Sequence, residues 1–194
     1  MMQAMSRTWR CRVAVAVAAI AATAALSTPA RAQDAAMSKE DAAALKTAFL
    51  ADLEGVKGKF VQLGNAFPDD KMAWRPMEGV RSVAEVLALV ASEFNGFVPS
   101  AVGGKAGLSR EEMQAISKST NKAELIGAIN KAFDHTKAQF AAADPSTLTG
   151  KRPLMGQPRS LTEAAIFIGG DLHEHLGQLI AYARMNHVVP PWSK

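Results

Sequence analysis

The side chains best placed to do chemistry lie towards the C-terminal end of the chain. Asp171 and His175 are four residues apart, which on a helix stacks them on one face a turn from each other, able to share a proton or hold one metal ion. Gln178, three residues further on, extends that polar edge. His173 points elsewhere, because a step of two residues turns a helix by about 200°. It therefore cannot chelate one ion together with His175. The plainer reading of His175 is a core histidine hydrogen-bonded to Asp171 or Gln178, since an unsatisfied polar group inside a bundle costs about 1–3 kcal/mol. Gly169-Gly170, in the middle of the same segment, costs roughly 2 kcal/mol in helix propensity against two alanines. That cost calls for close approach of a neighbouring helix or a ligand.

Glu93 and His135 are the other candidates for the same cavity, with the ordinary reading of His135 being a solvated or capping histidine. Trp74 and Trp192 fall in loops, where packing over helix ends is the simple expectation. The single cysteine, Cys11, precedes an apolar N-terminal run. No thiol is left beyond that run to act as nucleophile or disulfide partner. No glycine-rich phosphate cradle, nucleophile elbow or paired-cysteine zinc spacing is present.

These residues need helices to position them, and the chain is patterned for four long ones. The first is expected from Lys39 to Ala66, with Leu45, Phe49, Leu53, Val56, Phe60 and Leu63 forming one stripe. The second runs from Ser82 to Phe97, where Pro99 should end it. The third spans Lys122 to Ala143. The fourth, Leu161 to Asn186, carries two heptad columns, Leu161-Ile168-His175-Tyr182 and Ala165-Leu172-Leu179-Asn186. Each opens on a capping side chain with an acid three residues later that reaches back: Ser38 with Asp41, Ser82 with Glu85, Asn121 with Glu124, and Ser160 with Glu163. Ser109 with Glu112 marks a further short helical turn. No stretch alternates for long enough to build a sheet. The expected fold is all-α, an antiparallel four-helix bundle.

The first 32 residues read as a removable secretory leader: Arg7, Arg10 and Arg12, then an apolar run from Val13 to Leu26, then Ala30-Arg31-Ala32. The run is too short for the roughly 20 residues that span a bilayer, so no permanent membrane anchor is expected. Cleavage after Ala32 would leave residues 33–194 as one domain, periplasmic or secreted. The whole chain has 22 Lys+Arg against 18 Asp+Glu, and four of those arginines lie within 1–32 where no acid does, leaving 18 against 18. A formally neutral domain gives no electrostatic case for nucleic acid.

Met72-Ala-Trp-Arg-Pro76, Gly79-Val-Arg-Ser-Val-Ala-Glu-Val-Leu-Ala88, Asp171-Leu-His-Glu-His-Leu-Gly-Gln178, Ile180-Ala-Tyr-Ala-Arg-Met-Asn186 and Pro190-Pro-Trp-Ser193 together resemble the DinB (YfiT-like) superfamily. The resemblance implies a four-helix bundle, often a homodimer, holding a divalent metal such as zinc, nickel or iron. The ligands it implies are one histidine from the second helix and two, four apart, from the last. Relatives include metal-dependent thiol transferases and a maleylpyruvate isomerase. This chain departs at two positions: Leu89 stands where the second-helix histidine is expected, and Asp171 replaces the first of the pair, leaving His175. Carboxylate substitutes for imidazole but leucine does not, so a complete site needs Glu93, one turn from Leu89, or another side chain to step in. His187 stands where relatives carry a helix-ending glycine.

Three functions fit these residues. The first is an exported protein that binds a small molecule or another partner, with a lost or altered metal site. The second is a divalent-metal enzyme, hydrolase or thiol-transferase-like, using Asp171, His175 and Glu93. The third is a structural dimer module.

Overall fold

The computed structural model describes residues 36–193, so the expected leader and its cleavage point lie outside the described residues. Helix α1 spans Lys39–Ala66 and buries Phe49, Leu53, Val56, Phe60 and Leu63, the stripe read from the sequence. Helix α2 spans Val83–Ser92, and α3, Arg110–Lys118, is the short helix opened by Ser109. Helix α4 spans Lys122–Ala142 and α5 spans Leu161–Met185. The chain is thus predominantly helical, as expected of an all-α protein. Helix α1 packs against α4 and α5, and α2 packs against the same two. Edge-to-face rings tie these contacts together, Phe49 with Phe140 at 5.7 Å and Phe94 with Phe133 at 5.3 Å. Among the described residues no helix is long and apolar enough to cross a membrane.

The capping side chains act as expected at every helix start, each accepting the N–H of the third helical residue. The acid reaches back only at Ser82, Ser109 and Ser160. Asp41 instead accepts the Ser38 hydroxyl, and Glu124 accepts that of Ser119 at 2.6 Å.

Pro99 does not end the second helix. Helix α2 continues as a π-turn over Glu93–Phe97 and one more helical turn over Val98–Ser100. In the wider register the Val98 N–H donates to the Glu93 carbonyl. The amide five residues beyond Phe94 is that of Pro99, which has no N–H to give. The Phe94 carbonyl is satisfied from outside, by the Thr136 hydroxyl of α4 at 2.6 Å.

A two-stranded antiparallel hairpin, β1 Arg152–Leu154 and β2 Gln157–Arg159, also departs from the sheet-free expectation. Its strands are too short to show alternation, and each contains a proline. The register explains why the prolines are tolerated. Pro153 faces Pro158 between the pairs Leu154–Gln157 and Arg152–Arg159, the position of a two-residue hairpin where no ladder hydrogen bond is exchanged. The connecting Met155 and Gly156 both have positive φ, 52° and 73°, as a turn matched to strand twist requires.

At the far end of α5, His187 takes the left-handed conformation with φ 59°. Its N–H donates to Arg184 and that of Val188 to Ala183, the double closure that glycine normally makes at a helix end.

Candidate metal centre

Two helices bring the polar residues together. Asp171 and His175 share one face of α5, whose start is locked by the reciprocal Ser160–Glu163 cap. Glu93 comes from α2, at the residue where the π-turn begins. His175 Nε2 lies 3.2 Å from Glu93 Oε1 and 3.8 Å from Asp171 Oδ1. One ligand atom from each of the three lies within 4.8 Å of the others. The Glu93 side chain is 8% exposed, that of His175 17% and that of Asp171 36%, so the cluster is open on the Asp171 side.

Burial dominates its electrostatics. Desolvation raises the Glu93 carboxyl above its ordinary range, opposed by His175 and reinforced by the Asp171 charge. The imidazole of His175 is raised by its hydrogen bond to Glu93, against the pull of its own burial. Arg81 adds a small opposing charge effect on His175.

The donor set fits a divalent cation. Ligands about 2.0–2.2 Å from a tetrahedral ion stand roughly 3.3–3.6 Å apart, and the separations of 3.2 and 3.8 Å bracket that range. Glu93 Oε2 is buried with no hydrogen-bond partner among the described residues, an orphan acceptor that a cation would satisfy. Two carboxylates also balance a dipositive charge.

The model of the DinB superfamily matches residues 52–179. This chain belongs to the DinB superfamily. No curated protein matches it. Leu89, four residues before Glu93, lines a groove of about 520 Å³ with Arg81, Ser92 and Met113. Glu93, one helical turn later, is the third group that could ligate an ion together with Asp171 and His175.

The remaining candidates lie elsewhere. His135 Nε2 contacts the Lys105 carbonyl at 2.6 Å, and its ring packs against Gly107. It does not join the cluster. His173 faces Asp52 of α1 at 3.2 Å, on the opposite side of α5 as its spacing requires. Gln178 donates to the Tyr182 hydroxyl at 2.8 Å instead of to His175. Trp74 packs edge-to-face on Tyr182 at 5.4 Å, and Trp192 sits beneath the Lys59 ammonium. Gly169 and Gly170 do not serve a close approach: a Cβ at Gly169 would meet Asp52 and Phe49 at ordinary contact distance, and one at Gly170 would meet nothing.

Three polar anchors escaped the sequence. The Tyr182 hydroxyl donates to the Arg81 carbonyl at 3.0 Å and so ties the approach to α2 onto α5. Asn95 accepts from the Gly107 and Leu108 amides and donates to the Leu108 carbonyl. Thr136 holds the π-turn. Thr136 and Tyr182 left a trace in the sequence as polar positions inside a core period, and Asn95 left none.

Proposed function

We propose that this protein is an exported antiparallel four-helix bundle that binds a small molecule at a divalent metal ion held by Glu93, Asp171 and His175. The observation that carries the reading is the convergence of those three groups from α2 and α5, with one buried glutamate oxygen left without a partner among the described residues. An ion held by three protein groups supplies Lewis acidity toward an oxygen of a bound molecule or of water. The protein's own residues do the positioning. Glu93 is fixed by the π-turn and Thr136, and Asp171 and His175 by the capped rod of α5. Tyr182 holds the Arg81 backbone.

The ligand set differs from the three-histidine pattern that the family resemblance implies, which supports an altered site in preference to a lost one. A hydrolytic activity is a second reading, favoured by the cluster's openness beside Asp171, where water reaches the ligands.

Elemental analysis of the untagged protein tests the proposal. About one equivalent of a transition metal in the parent, lost in Glu93→Ala and His175→Ala variants that keep their helical circular dichroism, is the expected result. A metal-free parent whose melting is unchanged by added zinc refutes it.

A further inference from the structure

The hairpin between α4 and α5 carries a second polar feature, made of side chains other than the three candidate metal ligands. Arg152 and Arg159 are directly opposed across the two strands, so their side chains leave the ribbon on the same face. Like charges so placed repel. Both Nη atoms of Arg152 and the Nε of Arg159 are buried with no acceptor among the described residues. Leaving buried guanidinium donors unpaired is costly.

The surroundings supply no anion of their own. Glu163 senses the Arg159 charge, but its Oε2 accepts the Ser160 N–H at 2.6 Å in the helix cap. No ion pair joins Arg152 or Arg159 to an acid among the described residues. Burial moreover pushes the Arg152 guanidinium below its usual value, as expected where desolvation is uncompensated. What the surroundings do supply is an aromatic wall: Arg159 lies over the Phe167 ring at 4.3 Å, and Phe167, 39% exposed, meets Phe97 edge-to-face at 5.9 Å. Stacking of this kind fixes a guanidinium plane while leaving its edge free for a planar anion.

We infer that Arg152 and Arg159 form an oxyanion-binding site, in which their unpartnered N–H groups grip a carboxylate or phosphate group beside the Phe97–Phe167 rings. Arg152 supplies the charge-assisted hydrogen bonds from its two Nη atoms, and Arg159, steadied on Phe167, supplies a further donor through Nε. The two-residue turn at Met155-Gly156 sets the pairing of the strands and so the separation of the arginines.

Thermal melting of the purified protein tests this with two probes, sodium phosphate and sodium benzoate, each against sodium chloride at equal ionic strength. A saturable rise in Tm of several degrees with at least one probe is expected, and it should vanish in Arg152→Met. Phosphate alone succeeding assigns a phosphate-bearing ligand, and benzoate alone an aromatic carboxylate. In anion-free buffer, Arg152→Met should melt no lower than the parent, because it removes a charge that has no partner. The inference fails if neither probe exceeds chloride, or if Arg152→Met and Arg159→Met respond like the parent. It fails equally if Arg152→Met melts several degrees lower without anion, since the guanidinium would then be satisfied within the fold. Should Arg152→Met not fold, Arg159→Gln carries the same comparison, with a loss of probe affinity of about tenfold. Metal content, measured in every arm, should stay at the parent value, because neither arginine is among the three candidate ligands, and this keeps the test separate from that of the metal site.

Discussion

Helix α5 carries two histidine–carboxylate contacts two residues apart, with the same 3.2 Å separation and opposite surroundings. His173 meets Asp52 of α1 with both side chains 49% exposed. His175 meets Glu93 of α2 with side-chain exposures of 17% and 8%, and a second acid, Asp171, stands 3.8 Å away. At the surface, water screens both partners and completes their hydrogen bonding, so the pair is worth little. In the α2–α5 interface the same chemistry leaves a glutamate oxygen unsatisfied and shifts both groups upward. Distance alone does not distinguish the two contacts; desolvation and a second carboxylate do.

The largest effect that would break this contrast is on metal affinity. Zinc titrations followed calorimetrically should show Glu93→Ala and His175→Ala losing about 100-fold or more, beyond the 10–100-fold typical of groups that only orient ligands. Asp52→Ala and His173→Ala should bind as the parent does. Equal losses on the two faces would end the distinction.

The next effect is on pH. His175 must be neutral and Glu93 ionised to bind a cation, and both hold their protons more tightly than usual. Zinc affinity should therefore fall by about tenfold per pH unit on the acid side of the raised His175 value, with the midpoint above 6.5, the ordinary imidazole value. In the metal-free protein the sign reverses. The His175–Glu93 contact stabilises fully below the ordinary imidazole value, and that contribution is lost as pH rises through the raised one. An affinity that is flat between pH 6 and 8 would contradict the buried pair.

Smaller effects sharpen the comparison through stability. Thr136→Val leaves the Phe94 carbonyl without a donor and should cost about 1–3 kcal/mol by urea denaturation, with weakened zinc binding because the π-turn carries Glu93. Unchanged zinc affinity would show that Glu93 is placed without that support. Asp52→Ala, breaking the exposed contact, should cost no more than about 1 kcal/mol, and the loss should shrink in high salt. A larger loss would make the surface pair structural.

Much of the helical framework was legible because amphipathic period and capping chemistry are local. The reading of α1 as Lys39 to Ala66 agrees with the structure at both ends, and α4 and α5 differ from theirs only at their last residue. Pro99 misled because its missing N–H is compensated at the Phe94 carbonyl by Thr136 of α4, forty-two residues from Phe94. The hairpin was hidden by its brevity, and the glycine pair of α5 suggested a close approach that does not occur.

Spacing by itself determined that Asp171 and His175 share a face and that His173 must look the other way, because 3.6 residues per turn leaves no alternative. Only tertiary structure decided which acid from another helix would complete the group, and that His135 would turn to the Lys105 carbonyl instead. The reason is physical: the phase of a residue on its own helix is set by the local backbone, whereas the rotation of α2 against α5, and with it the burial of Glu93, is set by side chains packing from the whole core.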